Sequence, residues 1–264
     1  MCIIVSKSIN GSKILAKNRD RAYKPSLEII HTIINGVEVV YLRDTITDWS
    51  EGMNEYGIGL VNTALMVGYD ENEKKIVKTG GKPSKDGNKI RTALSNKNIK
   101  DVIHSAMTFA GGIKGHTFIS TPYKMISIET TSKHNPKFEL HTDTDVVRTN
   151  HGHLHADAGY TEGPDYLSSK LRKISAEKIM TRAEKVEDIL PLMRTKLYKH
   201  TSNLNMMRDT DKMFTSSQLL LDLTNKVLKL TYRENQIESF DGIKRELPNG
   251  YTPKIKIIVT KLTN

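Results

Sequence analysis

Two Asn-Gly dipeptides, each between runs of β-forming residues, constrain the fold of this chain more than any other local feature. Asn10-Gly11 and Asn35-Gly36 can each form a tight hairpin turn, because both residue types tolerate positive φ. The strands that they join are predicted over residues 2–6, 13–16, 27–33 and 37–42. The first part of the chain should therefore fold into antiparallel hairpins.

The spacing of apolar residues becomes helical in the middle of the chain. Helices are predicted over residues 98–110, where Gly111-Gly112 ends the pattern, and over residues 166–185 and 186–200. Further strands are predicted over residues 57–65, 116–120, 125–130, 138–142, 146–149, 218–223, 226–232 and 254–260. Residues 71–96, rich in Lys, Gly and Asn, are expected to form an exposed connection. Blocks of strands and helices with little βαβ alternation favour an α+β fold of antiparallel sheets with helices packed on them.

The charge balance, 40 Lys and Arg against 30 Asp and Glu, gives a net charge of +10. The cations are spread from Lys7 to Lys261 and interleave poorly with aromatic residues, so nucleic-acid binding is not favoured. A solvated basic face, or attraction of an anionic acyl substrate, is the preferred interpretation. The longest apolar runs are shorter than the roughly 18 residues that indicate a membrane span. Lysines interrupt the apolar residues near the start, so no secretion signal is predicted and a soluble, cytoplasmic protein is expected.

The only cysteine of the chain, Cys2, is its second residue. A single cysteine excludes an intramolecular disulfide and favours a reducing compartment. If Met1 is removed, Cys2 carries both a thiol and a free α-amino group, whose pKa of about 7.7–8.0 lets it accept the thiol proton. Judged on this residue alone, a small buried side chain at the start of a strand is an equally good interpretation.

A series of short motifs follows Cys2 in a fixed order along most of the chain. They are Asn18-Arg19-Asp20, the Gly-Met-Asn-Glu-Tyr-Gly-Ile-Gly-Leu segment at 52–60, Asn62, the strands at 116–120 and 126–129, Thr149-Asn150, Ser168-Ser169 with Arg172, and residues 230–237. Their order and spacing resemble the N-terminal-nucleophile (Ntn) hydrolases, specifically the group of choloylglycine hydrolases, penicillin V acylases and acyl-coenzyme A:isopenicillin N acyltransferase-like enzymes.

The resemblance implies a single domain over residues 1–264, folded as a four-layer αββα sandwich of two antiparallel sheets flanked by helices. It also implies a cysteine amidohydrolase that cleaves a linear, non-peptide amide, such as an N-acyl amine, through a thioester on Cys2. The implied partner is a small acyl amide substrate, and neither a cofactor nor a metal is expected. A homo-oligomer remains open.

Carried over by position, the resemblance assigns roles to the other motif residues. Asp20 would hold and orient the α-amino group of Cys2. Asn150 would donate to the tetrahedral oxyanion, with Asn62 as a second donor. Arg172 matches the remaining arginine of the family. Within Gly-Met-Asn-Glu, Asn54 is better interpreted as a turn residue than as a catalyst.

Three further residues are assigned to substrate binding. The family arginine before Asn falls on Lys17, while Arg19 occupies the variable position, so which cation lines the pocket stays open. His151 resembles part of the Asn-His pair of the acyltransferase-like branch. On an extended strand His151, His153 and His155 would share one face, but three ligands within five residues converge poorly on a metal ion, so no metal site is expected.

Two alternatives to hydrolysis remain at this point. The same acyl-enzyme could pass its acyl group from a thioester donor to an amine. The chain could also be a basic binding protein that keeps the fold without catalysis, which the replacement of the family arginine by Lys17 would allow.

Overall fold

A computed structural model describes residues 2–65, 86–198 and 201–262 of the chain. In chain order the strands and helices are β1 (Cys2–Ile9), β2 (Ser12–Arg21), β3 (Ser26–Ile34), β4 (Val37–Asp44), β5 (Trp49–Asn54), β6 (Gly59–Thr63), α1 (Asp86–Leu94), α2 (Ile99–Thr108), β7 (Gly115–Ser120), β8 (Met125–Thr130), β9 (Lys137–His141), β10 (Val146–Arg148), α3 (Gly163–Met180), α4 (Ile189–Leu192), β11 (Phe214–Asp222), β12 (Val227–Arg233), β13 (Ser239–Glu246) and β14 (Lys256–Leu262). Within these residues, no helix is long and apolar enough to cross a bilayer.

The strands form two sheets. One has the order β10-β1-β2-β11-β12-β14 and the other has the order β13-β3-β4-β5-β6-β7-β8-β9. Neighbouring strands are antiparallel except for β12 with β14 and β13 with β3. The α+β class is confirmed, and its sheets are mixed rather than purely antiparallel. The reason is that β13 lies in the other sheet, so β14 returns beside β12 without a hairpin.

Three apolar layers hold the sheets and helices together. Ile4, Leu15 and Phe118 belong to the core between the two sheets. A second core joins the eight-stranded sheet to α1 and α2, and a third joins the six-stranded sheet to α3 and α4. Successive side chains of a strand point to opposite faces, so Ile3 packs towards the helices while Ile4 packs between the sheets. The predicted four-layer αββα sandwich is confirmed.

The two Asn-Gly hairpins are confirmed by their backbone geometry. Asn10 and Gly11 have φ of 46° and 77°, and Asn35 and Gly36 have φ of 53° and 74°. Positive φ at both central residues matches the right-handed twist of the flanking strands. The first hairpin sets a register in which Cys2 lies opposite Arg19.

The predicted exposed connection over residues 71–96 is wrong at its end, while residues 71–85 lie outside the described part of the chain. Residues 86–94 form α1, in which Ile90, Ala93 and Leu94 are completely buried against the eight-stranded sheet. The surrounding Lys, Asn and Gly residues concealed this short apolar stripe. Tertiary burial outweighs a weak local preference for helix.

The predicted helix over residues 186–200 is largely wrong. A 3₁₀ turn at Val186–Asp188 leads into α4, which ends at Leu192, and residues 199–200 lie outside the described chain. The carbonyl oxygen of Met193 accepts a hydrogen bond of 3.0 Å from Nδ2 of Asn18 on β2. This bond to the sheet replaces the one that would have continued the helix.

Two strands, β5 and β13, have no counterpart among the sequence predictions. In β5, a Cβ atom on Gly52 would lie 2.1 Å from the carbonyl oxygen of Val40, so only glycine allows the close approach to β4. Asn54 ends this strand as the predicted turn residue. Its Oδ1 accepts from the backbone nitrogens of Tyr56 and Ile58, both at 3.1 Å.

Candidate active site

Cys2 begins a strand in the interior of the six-stranded sheet and is only 3% exposed. Its side chain lies on the same face as Ile4, towards the other sheet. Nη1 of Arg21 donates to Sγ at 3.6 Å, and the carbonyl oxygen of Asp20 lies 3.9 Å from Sγ. The thiol is therefore held beside a guanidinium group and within a largely dry environment.

Three cations on β2 share the face towards the opposite sheet, because Lys17, Arg19 and Arg21 alternate along the strand. Lys17 forms an ion pair with Glu51 of β5 and also donates to the carbonyl oxygen of Asn62. Nη1 of Arg19 donates to the other carboxylate oxygen of Glu51 at 2.7 Å. Lys17 and Arg19 are thus both bound to one buried carboxylate.

The charges around the sulfur favour its ionised form. Burial alone would raise the pKa of the Cys2 thiol, but Lys17 and Arg21 lower it to about 7. Burial opposes the ionisation of Glu51 as well, yet its two cations hold the pKa of its carboxyl below the ordinary value. Arg21 lies 3.5 Å from the buried carboxylate of Asp44. With three cations facing two carboxylates, a thiolate at Cys2 would balance the charge.

Arg172 connects three predicted site residues on the helix side of the sheet. Its side chain is completely buried, and Nη1 donates to the carbonyl oxygen of Cys2 at 3.4 Å. The same Nη1 lies 3.6 Å from Oδ2 of Asp20, and Nη2 donates to Oδ1 of Asn150 at 3.1 Å. Burial lowers the pKa of Arg172 to about 10, although Asp20 opposes the shift. Arg172 is therefore a buried residue that contacts Cys2, Asp20 and Asn150, and not a solvated surface charge.

The two carboxylate oxygens of Asp20 differ in their contacts, since Oδ1 accepts a hydrogen bond while Oδ2 has the ion-pair contact with Arg172. Oδ1 accepts a hydrogen bond of 2.7 Å from the hydroxyl of Thr215, which itself accepts from the backbone nitrogen of Arg208 at 2.8 Å. Oδ2 is buried without a hydrogen bond from the described residues. This oxygen can accept a further donor near the start of β1.

Asn150 is oriented by bonds to both of its ends. Oδ1 accepts from the backbone nitrogen of Cys2 at 3.2 Å. Nδ2 donates to the hydroxyl of Thr63 at 3.0 Å and to the carbonyl oxygen of Ala64 at 2.8 Å, while Ser169 Oγ accepts from the backbone nitrogen of Asn150 at 2.9 Å. The amide hydrogens are thus directed to Thr63 and Ala64, and the role of oxyanion donor stays a prediction.

The side chain of Asn62 is not brought to Cys2. Its Nδ2 donates to the carbonyl oxygen of Lys114 at 3.0 Å and to the hydroxyl of Thr117 at 2.8 Å. The neighbouring Val61 lies in the core between the sheets, so strand alternation turns the Asn62 side chain towards the helices. Only the backbone of Asn62 contacts the ion pair of Lys17 and Glu51.

His151 packs beside α3 rather than in a row of histidines. Its Nδ1 lies 2.9 Å from Oγ of Ser169, and burial lowers the pKa of its imidazole to about 4. The extended strand considered for 151–155 is wrong, because the backbone nitrogens of 153–155 turn to donate to the carboxylate of Glu129. The described residues include no group of three His, Cys, Asp or Glu side chains that could hold a metal ion.

The sequence analysis assigned no site role to four residues that the structure places here. They are Arg21, Glu51, Thr215 and Ser169, which accepts a hydrogen bond from the backbone nitrogen of Asn150. The charge pattern of the sequence could have indicated Glu51. Lys17, Arg19 and Arg21 alternate directly after the strand predicted over residues 13–16, and a strand continued through them would need a buried acid on the facing sheet. Glu51 directly precedes the Gly-Met-Asn-Glu motif. For Thr215 we find no local signal, since its contact with Asp20 joins residues far apart in the chain.

Comparison with solved structures finds the following two matches among others. The first is a Caenorhabditis elegans N-acylethanolamine-hydrolyzing acid amidase ortholog, with a TM-score of 0.56 and 12% identity over 84% of this chain and 93% of that chain. The second is penicillin V acylase from Agrobacterium tumefaciens, with a TM-score of 0.46 and 11% identity over 98% of this chain and 99% of that chain. No family model and no curated protein matches the sequence. The chain has the fold of the Ntn hydrolases.

Proposed function

We propose that the chain is an N-terminal cysteine amidohydrolase that cleaves a linear, non-peptide amide, such as an N-acyl amine. One observation carries the proposal: both reactive atoms of Cys2 have polar side chains in contact with them, with Arg21 at 3.6 Å from Sγ and the buried Asn150 at 3.2 Å from the nitrogen. The similar fold of an acid amidase that hydrolyses N-acylethanolamines supports an amide as the substrate.

The proposed reaction begins once the peptide bond before Cys2 has been cleaved, which frees its α-amino group. The sulfur attacks the amide carbonyl carbon, a carbon–sulfur bond forms, and the carbonyl oxygen becomes an oxyanion. The carbon–nitrogen bond then breaks, and the leaving amine takes a proton from the α-ammonium group. Water finally hydrolyses the thioester, which releases the acid and restores the thiol.

The residues around Cys2 take distinct parts in this reaction. A thiol with a pKa of about 7 supplies thiolate at neutral pH, so Lys17 and Arg21 share the activation of the sulfur with the α-amino group. Asp20 offers Oδ2, which lies beside Arg172 but accepts no hydrogen bond from the described residues, to the freed amine and orients it. Because Asn150 and Asn62 direct their amide hydrogens elsewhere, we assign the developing oxyanion to Arg21.

Lys17 and Arg19, the two cations predicted to line the pocket, have a different role in this proposal. Lys17 and Arg19 are both engaged by Glu51, so we assign them to the electrostatics of the thiol rather than to direct substrate contact. His151, whose low pKa keeps it neutral, remains the proposed pocket-lining residue.

The test combines the mass of the intact protein with turnover of a panel of N-acyl amines. We expect active protein to begin at Cys2, an activated acyl donor to label Cys2, and Cys2→Ala to lose about 10³-fold or more in kcat/KM. Activity in protein that keeps a residue before Cys2, or an active Cys2→Ala variant, would contradict the proposal.

The same assay separates the two alternatives. Added amine that intercepts the acyl group in preference to water would identify an acyltransferase, because the acyl-enzyme is common to both reactions. A protein that binds anionic ligands but is never labelled at Cys2 would instead be a non-catalytic member of the fold.

A further inference from the structure

A cleft of about 410 Å³ lies between the segment after α4, the loop before β11, and the ends of β12 and β14. Its lining includes three cations, one carboxylate and two apolar side chains: Arg194, Lys196, Arg233, Asp209, Met207 and Leu262. None of them belongs to the site around Cys2. Its volume is within the range of roughly 300–1,000 Å³ that is usual for small-molecule sites.

Positive charge is in excess in this cleft, where three cations face one carboxylate. Nη2 of Arg233 donates to Oδ1 of Asp209 at 3.1 Å, which neutralises one of the cations. Nε of Arg194 donates to the carbonyl oxygen of Leu190 at 3.2 Å, and no described carboxylate pairs with this guanidinium group. Lys196 makes no hydrogen bond or ion pair with the part of the chain that the structure describes. Two of the three cations therefore have no anionic partner among the residues that the structure describes.

Arg233 forms the base of the cleft, where it is only 6% exposed and its guanidinium group is fixed by two hydrogen bonds. Besides Asp209, it contacts the carbonyl oxygen of Thr215, to which Nη1 donates at 3.4 Å. Thr215 also donates to Asp20, so two hydrogen bonds connect the cleft to the candidate active site.

We propose that this cleft binds a small organic anion that carries an oxyanion head group, carboxylate or phosphate, on a short apolar chain. Arg194 and Lys196 contact the head group, because they are the cations without a carboxylate partner in the described chain. Met207 and Leu262 contact the apolar chain. The proposal does not depend on the reaction at Cys2.

The test follows the methionine methyl resonances of the full chain by NMR, with Met207→Leu used to assign Met207. Octanoate and octyl phosphate are titrated as the two anionic probes, and octanamide is the neutral control. We expect both anions, or one of them, to shift the Met207 resonance, and octanamide to leave it unchanged. The preferred anion distinguishes a carboxylate ligand from a phosphate ligand.

A matched pair of double variants tests the two cations. Arg194→Gln/Lys196→Gln should raise the dissociation constant of the bound probe about tenfold or more. Lys97→Gln/Lys100→Gln, which removes the same charge at exposed positions around the start of α2, should leave it unchanged. Lys196→Gln alone, at the exposed rim, provides a variant with little risk to folding. An unshifted Met207 resonance, an equal shift with octanamide, or equal affinities in the two double variants would overturn the proposal.

Discussion

Arg172 donates a hydrogen bond of 3.1 Å to the carboxamide oxygen of Asn150, and both side chains are completely buried. The same oxygen accepts from the backbone nitrogen of Cys2. Because Arg172 also lies beside Asp20, one guanidinium group fixes the relative positions of α3, β2 and the start of β1. The geometry around the Cys2 nitrogen therefore depends on a residue that does not need to touch a substrate.

Replacing Arg172 with methionine should destabilise the protein by about 3–5 kcal/mol, because it leaves the buried carboxylate of Asp20 without its cation. The free energy of unfolding in urea measures this change. Arg182→Met, which removes an exposed arginine just after the same helix, should stay within about 0.5 kcal/mol of the parent protein. Equal stabilities of the two variants would contradict the assigned role.

Alkylation of Cys2 by iodoacetamide should depend on pH with a midpoint near 7, since the thiolate reacts and its pKa is about 7. Below that midpoint the rate should fall about tenfold per pH unit. Lys17→Met should move the midpoint to higher pH because it removes a cation that favours the thiolate. The adduct is quantified by intact mass, with Lys97→Met as the control. A midpoint that stays in place in Lys17→Met would refute this electrostatic activation.

Glu51→Gln should have the opposite effect on the thiol. Removal of the carboxylate leaves Lys17 and Arg19 uncompensated, so the pKa of Cys2 should fall and the alkylation midpoint should move to lower pH. The buried cations should also reduce stability by about 3–5 kcal/mol. Glu184→Gln, at an exposed position before α4, is the matched control. An upward shift of the midpoint would show that Glu51 does not offset these cations.

Ser169→Ala should weaken the position of Asn150 without touching the sulfur. The serine hydroxyl accepts from the backbone nitrogen of Asn150 and contacts His151, so its loss should cost about 1–3 kcal/mol of stability. Given the proposed reaction, kcat should fall while KM changes little. Ser175→Ala, a buried serine on the same helix without these contacts, should preserve kcat. A decrease in kcat shared by both variants would indicate only a general loss of packing.

The sequence predicted the parts of the fold that depend on a few neighbouring residues. The hairpin turns at Asn10-Gly11 and Asn35-Gly36 were predictable because their backbone preference is local. The resemblance in motif order predicted the four-layer sandwich. Of the predicted site residues, Asp20, Asn150 and Arg172 lie together around Cys2.

Tertiary structure decided the features that depend on distant partners. Burial against a sheet made residues 86–94 helical, and the bond from Asn18 to Met193 helped to end α4 early. The position of Asn62 on its strand, next to the buried Val61, turned its carboxamide away from the sulfur. Local patterns predict turns and periodicity, but which face of a strand meets which charge is set by packing between residues far apart in the chain.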